Sequence, residues 1–202
     1  WNAMEWFEVC GTRYCDHFEP EQFMYSMLTR SQRISHENLR LRDHVWLDGY
    51  ERWFAKQCGM QAEQPTPPMF TPYRMRSVTL KNRVVVSPMA QYLAHDGLVG
   101  DYHMVHLGAR AQGGAGLVMV EMTAPCPEGR ITPGCPGLWR DDQRDAFKRV
   151  VDWVHAHTDA KIGVQIGHAG PKGSTNAPWD DTGADQPLPH DNWALEIGRA
   201  HV

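Results

Sequence analysis

Histidine and cysteine are the side chains of this sequence that most readily bind metals, and several of the histidines stand close together. His103 and His106 form one short pair, and His155 and His157 form another, while five cysteines are scattered at irregular spacing through the 202 residues. The sequence contains no CxxC and no HExxH, the spacings typical of zinc sites. We therefore predict no metal site, and we expect the odd number of cysteines to stay reduced in a cytoplasmic protein.

A second group of chemically useful side chains closes three short apolar runs, RVVVSPM, GLVMVEM and KIGVQIG. Each run has the length and the β-branched content of a strand that is buried on both faces. The residues that end these runs are Ser87–Tyr92, Glu121–Thr123 and Gln165–His168. In a parallel sheet such ends meet at one edge, and enzymes with this architecture place their chemistry there.

Two amphipathic stretches separate the three runs and predict helices. YHMVHLGARAQGG is a short helical candidate that Gly113 and Gly114 close. In DDQRDAFKRVVDWVHAH, Asp141 or Asp142 is expected to cap a longer helix. One face of that helix is apolar and carries Phe147, Val150, Val151 and Val154.

Alternation of strands and helices predicts an α/β fold, either an open doubly wound sheet or part of a TIM (β/α)8 barrel. A dinucleotide-binding open sheet would carry GxGxxG directly after its first strand. Here the first strand runs into Ser87-Pro88-Met89, and GGAG precedes the second strand instead of following it. The pattern favours the barrel.

Residues 1–59 predict helices of another kind, one over FEPEQFMYSMLTR and a second from near Ser35 to Gly59. The second helix carries an aromatic face, formed by Trp46, Tyr50, Trp53 and Phe54. So short a leader supplies little partner surface, so we expect this face to stay uncovered and to promote association. The proline-rich stretch MQAEQPTPPMFTP over residues 60–72 predicts a linker.

Charge and hydropathy exclude several classes of protein. Twenty Lys and Arg against 24 Asp and Glu give a net charge of −4, which disfavours a nucleic-acid partner. No apolar run approaches the roughly 18 residues of a membrane helix, so we expect no membrane partner. The opening WNAMEWFEVC lacks the features of a signal peptide, and a first residue Trp1 indicates a cut through a longer chain.

Three separated motifs, in order, carry a resemblance to a known family. They are MFTPYRMRSVTLKNRVVVSPMAQY, DYHMVHLGARAQGGAGLVMVEMTAPCPEGRITPGCPGLW and KIGVQIGHAGPKG, which together cover about Pro68 to Leu188. This part of the chain resembles the Old Yellow Enzyme family of FMN-dependent ene reductases. The helical leader resembles the closing segment of the FAD monooxygenase half of two-domain flavoproteins, the salicylyl-CoA 5-hydroxylase and 2-aminobenzoyl-CoA monooxygenase/reductase type.

The resemblance implies roles for particular residues. It places the loop Ser87, Pro88, Met89 and Ala90 against the FMN isoalloxazine, with Met122 and Gln165 as further flavin neighbours. It implies that Tyr92 is a catalytic, substrate-facing residue and that His168 lies near the substrate. From the residues alone, Ser87 could equally cap a turn, Gln165 could satisfy buried backbone, and Tyr92 and His168 could pack.

The chain also departs from the family pattern. Ala90 stands where one branch of the family has a cysteine that tunes the flavin, and Pro171 stands where HAGRK has an arginine. The family's substrate-anion histidine pair and its FMN phosphate site come from strands of the second half of the barrel, beyond this sequence.

These inferences predict a fragment of a bifunctional flavoprotein. We expect residues 1–59 to close an FAD monooxygenase domain, 60–72 to be a linker and 73–195 to form a partial FMN-binding barrel. EIGRAHV over 196–202 reads as a translated sequencing adapter, and we expect it to be an artefact. The barrel would pass hydride from NAD(P)H through FMN to an unsaturated or dearomatised aromatic acyl-CoA, or to an enone, in a parent that could form a homo-oligomer. The alternatives are a stand-alone ene or dienoyl-CoA reductase and a non-catalytic half-barrel that binds a partner.

Overall fold

In the computed structural model, residues 44–61, 63–180 and 186–193 are described. The chain divides into two units, Trp1–Val84 and Val85–Val202. The helix predicted over FEPEQFMYSMLTR lies outside the described residues. Within the described ranges, no helix combines the length and apolarity needed to cross a membrane.

The first unit contains helix α1, His44–Gln57, which confirms the described part of the second predicted helix. The helix gives way to a turn at Cys58–Gly59, where Gly59 has a φ of 79°, a conformation that glycine adopts without strain. Trp46 and Tyr50 stack along the predicted face, with ring centroids 6.0 Å apart and planes 5° apart.

The prediction that this aromatic face stays uncovered is wrong. Tyr50 and Phe54 are only 1% and 2% exposed. Part of the cover comes from Arg83, whose guanidinium lies 5.1 Å from the Phe54 ring centroid and 4.9 Å from that of Tyr73. The aliphatic and planar parts of an arginine cover aromatic surface well, so one side chain shields the end of the face.

A hairpin completes the described part of the first unit. Strands β1, Tyr73–Met75, and β2, Val78–Leu80, pair antiparallel, with Arg74 opposite Thr79. Within the stretch predicted as a linker, Pro68–Phe70 form a turn of 3-10 helix.

The second unit has the predicted order of strand, helix, strand, helix, strand. Its elements are β3 (Val85–Val86), α2 (Asp101–Gln112), β4 (Leu117–Thr123), α3 (Asp141–His157) and β5 (Lys161–Ile166). The three strands form a parallel sheet in the order β3-β4-β5. This is the α/β arrangement of the first strands of a (β/α)8 barrel.

Strand β4 lies at the centre of this sheet and separates its two faces. Val118 and Val120 are buried on the face where α2 packs against β4 and α3 packs against β5. Leu117 and Met119, which alternate with them, are only half-buried. On that opposite face Gly163 leaves room for the Met119 sulfur, which would lie 2.7 Å from a Cβ at position 163.

Two local predictions need correction. The run RVVVSPM forms only the two-residue strand β3, because Val84 donates its N–H to the Asn82 side chain and the chain leaves the sheet after Val86. Neither Asp141 nor Asp142 is the N-cap residue of α3, although the Asp142 Oδ1 accepts the N–H of Gln143 at 2.9 Å within the first turn. Instead, the Gln143 side-chain oxygen accepts the N–H groups of Trp139 and Arg140 at 2.9 and 3.1 Å. The longer amide side chain reaches back over the helix start from inside the first turn.

Candidate active site

The loop after β3 is an exposed part of the strand edge that carries the predicted site residues. Ser87, Met89 and Ala90 are exposed and Pro88 is half-buried. Within the described ranges the Ser87 hydroxyl makes no side-chain hydrogen bond. This segment therefore presents an unused hydroxyl and small apolar groups to anything that binds the edge.

Met122 and Gln165 stand side by side across the neighbouring strands. They are register partners in the β4–β5 ladder, so their side chains share one face of the sheet. A bulge between Val120 and Met122 produces this register and leaves Glu121 as the additional residue. Gly167 lies against Met122, because a Cβ at position 167 would stand 3.0 Å from the Met122 Cγ.

The bulged residue Glu121 has a buried side chain that ties the loop after β3 to β4. It is 4% exposed, and its Oε2 accepts the backbone N–H of Gln91 at 2.7 Å and that of Tyr92 at 3.3 Å. A carboxylate that accepts two backbone N–H groups in a buried place holds them strongly, because charge-assisted hydrogen bonds gain from the low local dielectric.

His103 faces the other oxygen of this carboxylate. It is 1% exposed, and its Nε2 lies 3.3 Å from the Glu121 Oε1, a contact whose geometry falls short of a hydrogen bond. Its Nδ1 accepts the N–H of Gly100 at 3.2 Å, at the start of α2. Since Nδ1 is an acceptor, the ring proton of neutral His103 belongs on Nε2, toward the carboxylate.

Tyr92 occupies a constrained position on the same loop. Its φ is 52°, in the left-handed region that tyrosine rarely adopts. Its ring centroid lies 5.8 Å from that of Trp179, with the planes tilted by 49°, and Trp179 is 58% exposed. The Tyr92–Trp179 pair is therefore accessible to solvent. The backbone of Tyr92 is strained, and Glu121 holds its N–H.

His168 lies two residues beyond the end of β5 and is exposed. Its Nδ1 accepts the N–H of Gly170 at 3.0 Å, so Nε2 carries the proton in the neutral ring. A Cβ at Gly129 would stand 3.1 Å from the His168 ring, so the absence of a side chain there admits the imidazole.

The surroundings of two further groups shift their pKa values in the direction that favours the neutral form. Burial, helped by the neighbouring Arg110, lowers the pKa of His106, whose ring stacks on Tyr102 with centroids 5.8 Å apart. Burial raises the pKa of the Cys135 thiol. Cys58, Cys126 and Cys135, the cysteines of the described ranges, are free thiols, and no group of three or more potential metal ligands occurs in those ranges.

The structure thus brings Met122 and Gln165 together directly, and it links Tyr92 to Glu121. Sequence reasoning placed Glu121 at a strand end without a role and weighed His103 only as half of a metal pair. Gly134 and Trp179, both neighbours of Tyr92, were missed. The spacing of Gly100 and His103 was an available signal, because a side chain at the third helical position often bonds back to the cap.

Comparison with known proteins identifies the family of this part of the chain. Residues 68–196 match the family described as NADH:flavin oxidoreductase / NADH oxidase. The chain belongs to this family. The match confirms the resemblance to Old Yellow Enzyme-like flavin oxidoreductases.

Individual relatives agree over the same part of the chain. An NADH:flavin oxidoreductase of Gibberella zeae is 47% identical over 111 residues, which are 55% of this chain and 27% of the relative. An NADPH dehydrogenase of Listeria monocytogenes is 48% identical over 106 residues, which are 52% of this chain and 31% of the relative. The chain thus spans less than a third of the length of these curated relatives.

Solved structures give the same result. Morphinone reductase in complex with tetrahydroNAD is 34% identical, with a TM-score of 0.50 over 54% of this chain and 29% of that one. A complex of 2-naphthoyl-CoA reductase with 2-naphthoyl-CoA is 25% identical, with a TM-score of 0.50 over 52% of this chain and 16% of that one.

Proposed function

We propose that the whole protein is an FMN-dependent oxidoreductase that passes hydride from NAD(P)H to an activated carbon–carbon double bond. The observation that carries this proposal is the strand edge at which Met122 and Gln165 are register partners, within a family of flavin oxidoreductases. When bound there, FMN would accept hydride from the nicotinamide and donate it to the substrate.

The residues present at the edge fit a flavin. Ser87 offers a hydroxyl and Gln165 an amide, and neither makes a side-chain hydrogen bond within the described ranges. The Gln165 amide can both donate and accept, which suits the alternating N–H and C=O groups of the pyrimidine ring. Met122, Pro88, Met89 and Ala90 would supply the apolar contacts for the rest of the isoalloxazine.

Tyr92 and His168 are the residues that we assign to the substrate. The Tyr92 phenol would donate a hydrogen bond, or a proton, near the acceptor carbon. His168, with its proton on Nε2, could donate to a substrate carbonyl. A donor at the carbonyl stabilises the negative charge that develops there as hydride arrives at the β-carbon.

We further propose an aromatic or unsaturated acyl-CoA as the substrate class. The similarity to 2-naphthoyl-CoA reductase supports this class. The leader's resemblance to an FAD monooxygenase segment would make the protein bifunctional, with residues 1–59 closing a ring-hydroxylating domain and 60–72 linking it to the barrel. A stand-alone reductase acting on enones is the second candidate, and the similarity to an NADPH dehydrogenase and to morphinone reductase favours it.

An anaerobic half-reaction experiment on the whole protein separates these candidates. The purified protein is reduced with NADPH or NADH, and the bleached flavin is then mixed with 2-naphthoyl-CoA or with cyclohexenone. We expect rapid bleaching, followed by faster reoxidation with the acyl-CoA. Faster reoxidation by cyclohexenone favours the stand-alone enone reductase. A protein that contains no FMN, or whose FMN neither nicotinamide reduces, contradicts the proposed function.

A further inference from the structure

The Glu121 carboxylate, which takes no direct part in the proposed chemistry, lies between the loop that carries Tyr92 and the start of α2. One oxygen accepts the N–H groups of Gln91 and Tyr92, and the other faces the Nε2 of His103. Both side chains are almost fully buried. Burying a carboxylate is costly, so an unpaired one would destabilise the fold. Here one oxygen accepts two backbone N–H groups, and the His103 Nε2 lies 3.3 Å from the other.

His103 is held in turn by the start of α2. Its Nδ1 accepts the Gly100 N–H, which fixes the ring and leaves the Nε2 proton for Glu121. The Gly100 amide, the imidazole, the carboxylate and the Gln91 and Tyr92 amides therefore form one continuous chain of polar contacts. It runs from a helix start, across the bulge of β4, to the loop that carries Tyr92.

The loop needs such support because Tyr92 adopts a left-handed φ of 52°. A non-glycine residue in this region costs about 1–3 kcal/mol and persists only where its surroundings impose it. The backbone conformation at Tyr92 restricts the rotamers that its ring can adopt. The contact that holds the Tyr92 N–H therefore also restricts the position of its phenol.

We propose that Glu121 and His103 are a positioning pair for Tyr92, which hold the phenol at the place where it meets the substrate. This proposal rests on the proposed function for the role of Tyr92. Neither residue of the pair touches the substrate in this account. They act through the backbone of Gln91 and Tyr92.

The Glu121→Gln substitution tests the pair with almost no change of shape. A glutamine has a single acceptor oxygen, so its NH2 group must face either the loop amides or His103. The other His103 tautomer cannot relieve the conflict, because it would turn an N–H toward the Gly100 N–H. The matched control is Glu128→Gln, since Glu128 is an exposed glutamate in the 3-10 turn Pro127–Gly129.

Hydrogen exchange of the whole protein gives the structural readout. We expect Glu121→Gln to accelerate exchange in the peptide containing Gln91 and Tyr92 by about tenfold or more, while α3 is unaffected. His103→Asn keeps an acceptor for Gly100 and cannot reach Glu121, and it should accelerate the same peptide if Glu121→Gln fails to fold. Unchanged exchange in this peptide, in variants that fold, overturns the proposal.

Kinetics show whether the pair acts through Tyr92. We expect Glu121→Gln to lower kcat about tenfold with the FMN content and the KM for NAD(P)H unchanged. In a Tyr92→Phe background, the same substitution should lower kcat by less than about twofold, because both changes remove one function. Equal losses in the two backgrounds overturn the proposal. If the whole protein holds no FMN, the proposed function fails, and the exchange experiment alone decides whether the pair holds the loop.

Discussion

The backbone of Gly134 lies directly against the carbonyl group of Tyr92. A Cβ at position 134 would stand 2.2 Å from that oxygen, far inside any real contact distance. The Gly134 carbonyl also accepts the N–H of Ala94 at 2.9 Å, so the two segments are joined on both sides of the contact. The loop after β3 is therefore fixed from one side by Glu121 and from the other by a glycine that has no room for a side chain.

Replacing this glycine should disturb both stability and the loop. We expect Gly134→Ala to lower the free energy of unfolding by about 1–3 kcal/mol, because the neighbouring atom is backbone and cannot rotate away. Gly100→Ala is the control, since a Cβ at position 100 meets no atom within 4 Å. Its cost should be about 1 kcal/mol or less. Urea denaturation measures both, and an equal cost for the two variants would show that Gly134 tolerates a side chain.

Gln143 should matter more to α3 than the charged residues around it. Its side chain is fully buried, and it accepts the Trp139 and Arg140 amides and donates to the Asp96 carbonyl at 3.1 Å. We expect Gln143→Ala to lower the free energy of unfolding by about 2 kcal/mol or more, because it leaves these backbone groups without their side-chain hydrogen-bond partner.

The contrasting variant is Arg140→Ala. Arg140 pairs with Asp96 and Asp142 on the surface, where solvent weakens such pairs. We therefore expect Arg140→Ala to lower stability much less than Gln143→Ala does. The comparison is made by thermal denaturation in one buffer. A larger loss for Arg140→Ala would contradict our account of how the helix begins.

Cys135 should make the fold sensitive to alkaline pH. Burial raises the pKa of its thiol, so the unfolded chain loses this proton at lower pH than the folded chain does. The folded state then binds more protons, and the free energy of unfolding falls as the pH rises above about 8.5. Denaturation midpoints between about pH 7 and 10 should show this slope, and Cys135→Ala should flatten it. Cys126→Ala, at a half-buried thiol, serves as the control and should retain it.

Ala90 offers a test, in the whole protein, of the proposal that the loop after β3 lies against the flavin. A polarisable thiol beside the isoalloxazine changes its electronic environment, so Ala90→Cys should shift the FMN reduction potential. Ala109→Cys places the same thiol at an exposed position of α2 and should leave the potential unchanged. If both variants have the FMN reduction potential of the parent, Ala90 does not lie beside the flavin.

Hydrophobic periodicity was sufficient to predict the second unit's architecture. The apolar run of β4 and the apolar face of α3 are properties of the local sequence, and both elements form where that sequence predicts them. The motif match then supplied the family, because separated motifs in a fixed order carry more information than any single spacing.

The contacts that shape the site were beyond such reasoning. The Glu121 side chain accepts the backbone N–H of Gln91, which lies 30 residues away in the sequence, and it contacts the side chain of His103 near the start of α2. No local sequence pattern predicts either contact. The β4 bulge that turns Glu121 inward depends on pairing with β5. Likewise, β3 is short because its chain leaves the sheet after Val86, which a run of valines does not reveal.

An FMN titration of the whole protein shows whether FMN binds at the edge where Met122 and Gln165 are register partners. Flavin removed from the protein is added back while the quenching of its fluorescence is followed for the parent, Gln165→Leu and Gln112→Leu. Gln112 is exposed at the end of α2, away from the strand edge, and is the matched control. We predict stoichiometric binding to the parent and the control, and a Kd about tenfold or more higher for Gln165→Leu, which removes the amide that we propose to face the pyrimidine ring. Equal Kd values for all three proteins, or no binding to the parent, would contradict the account.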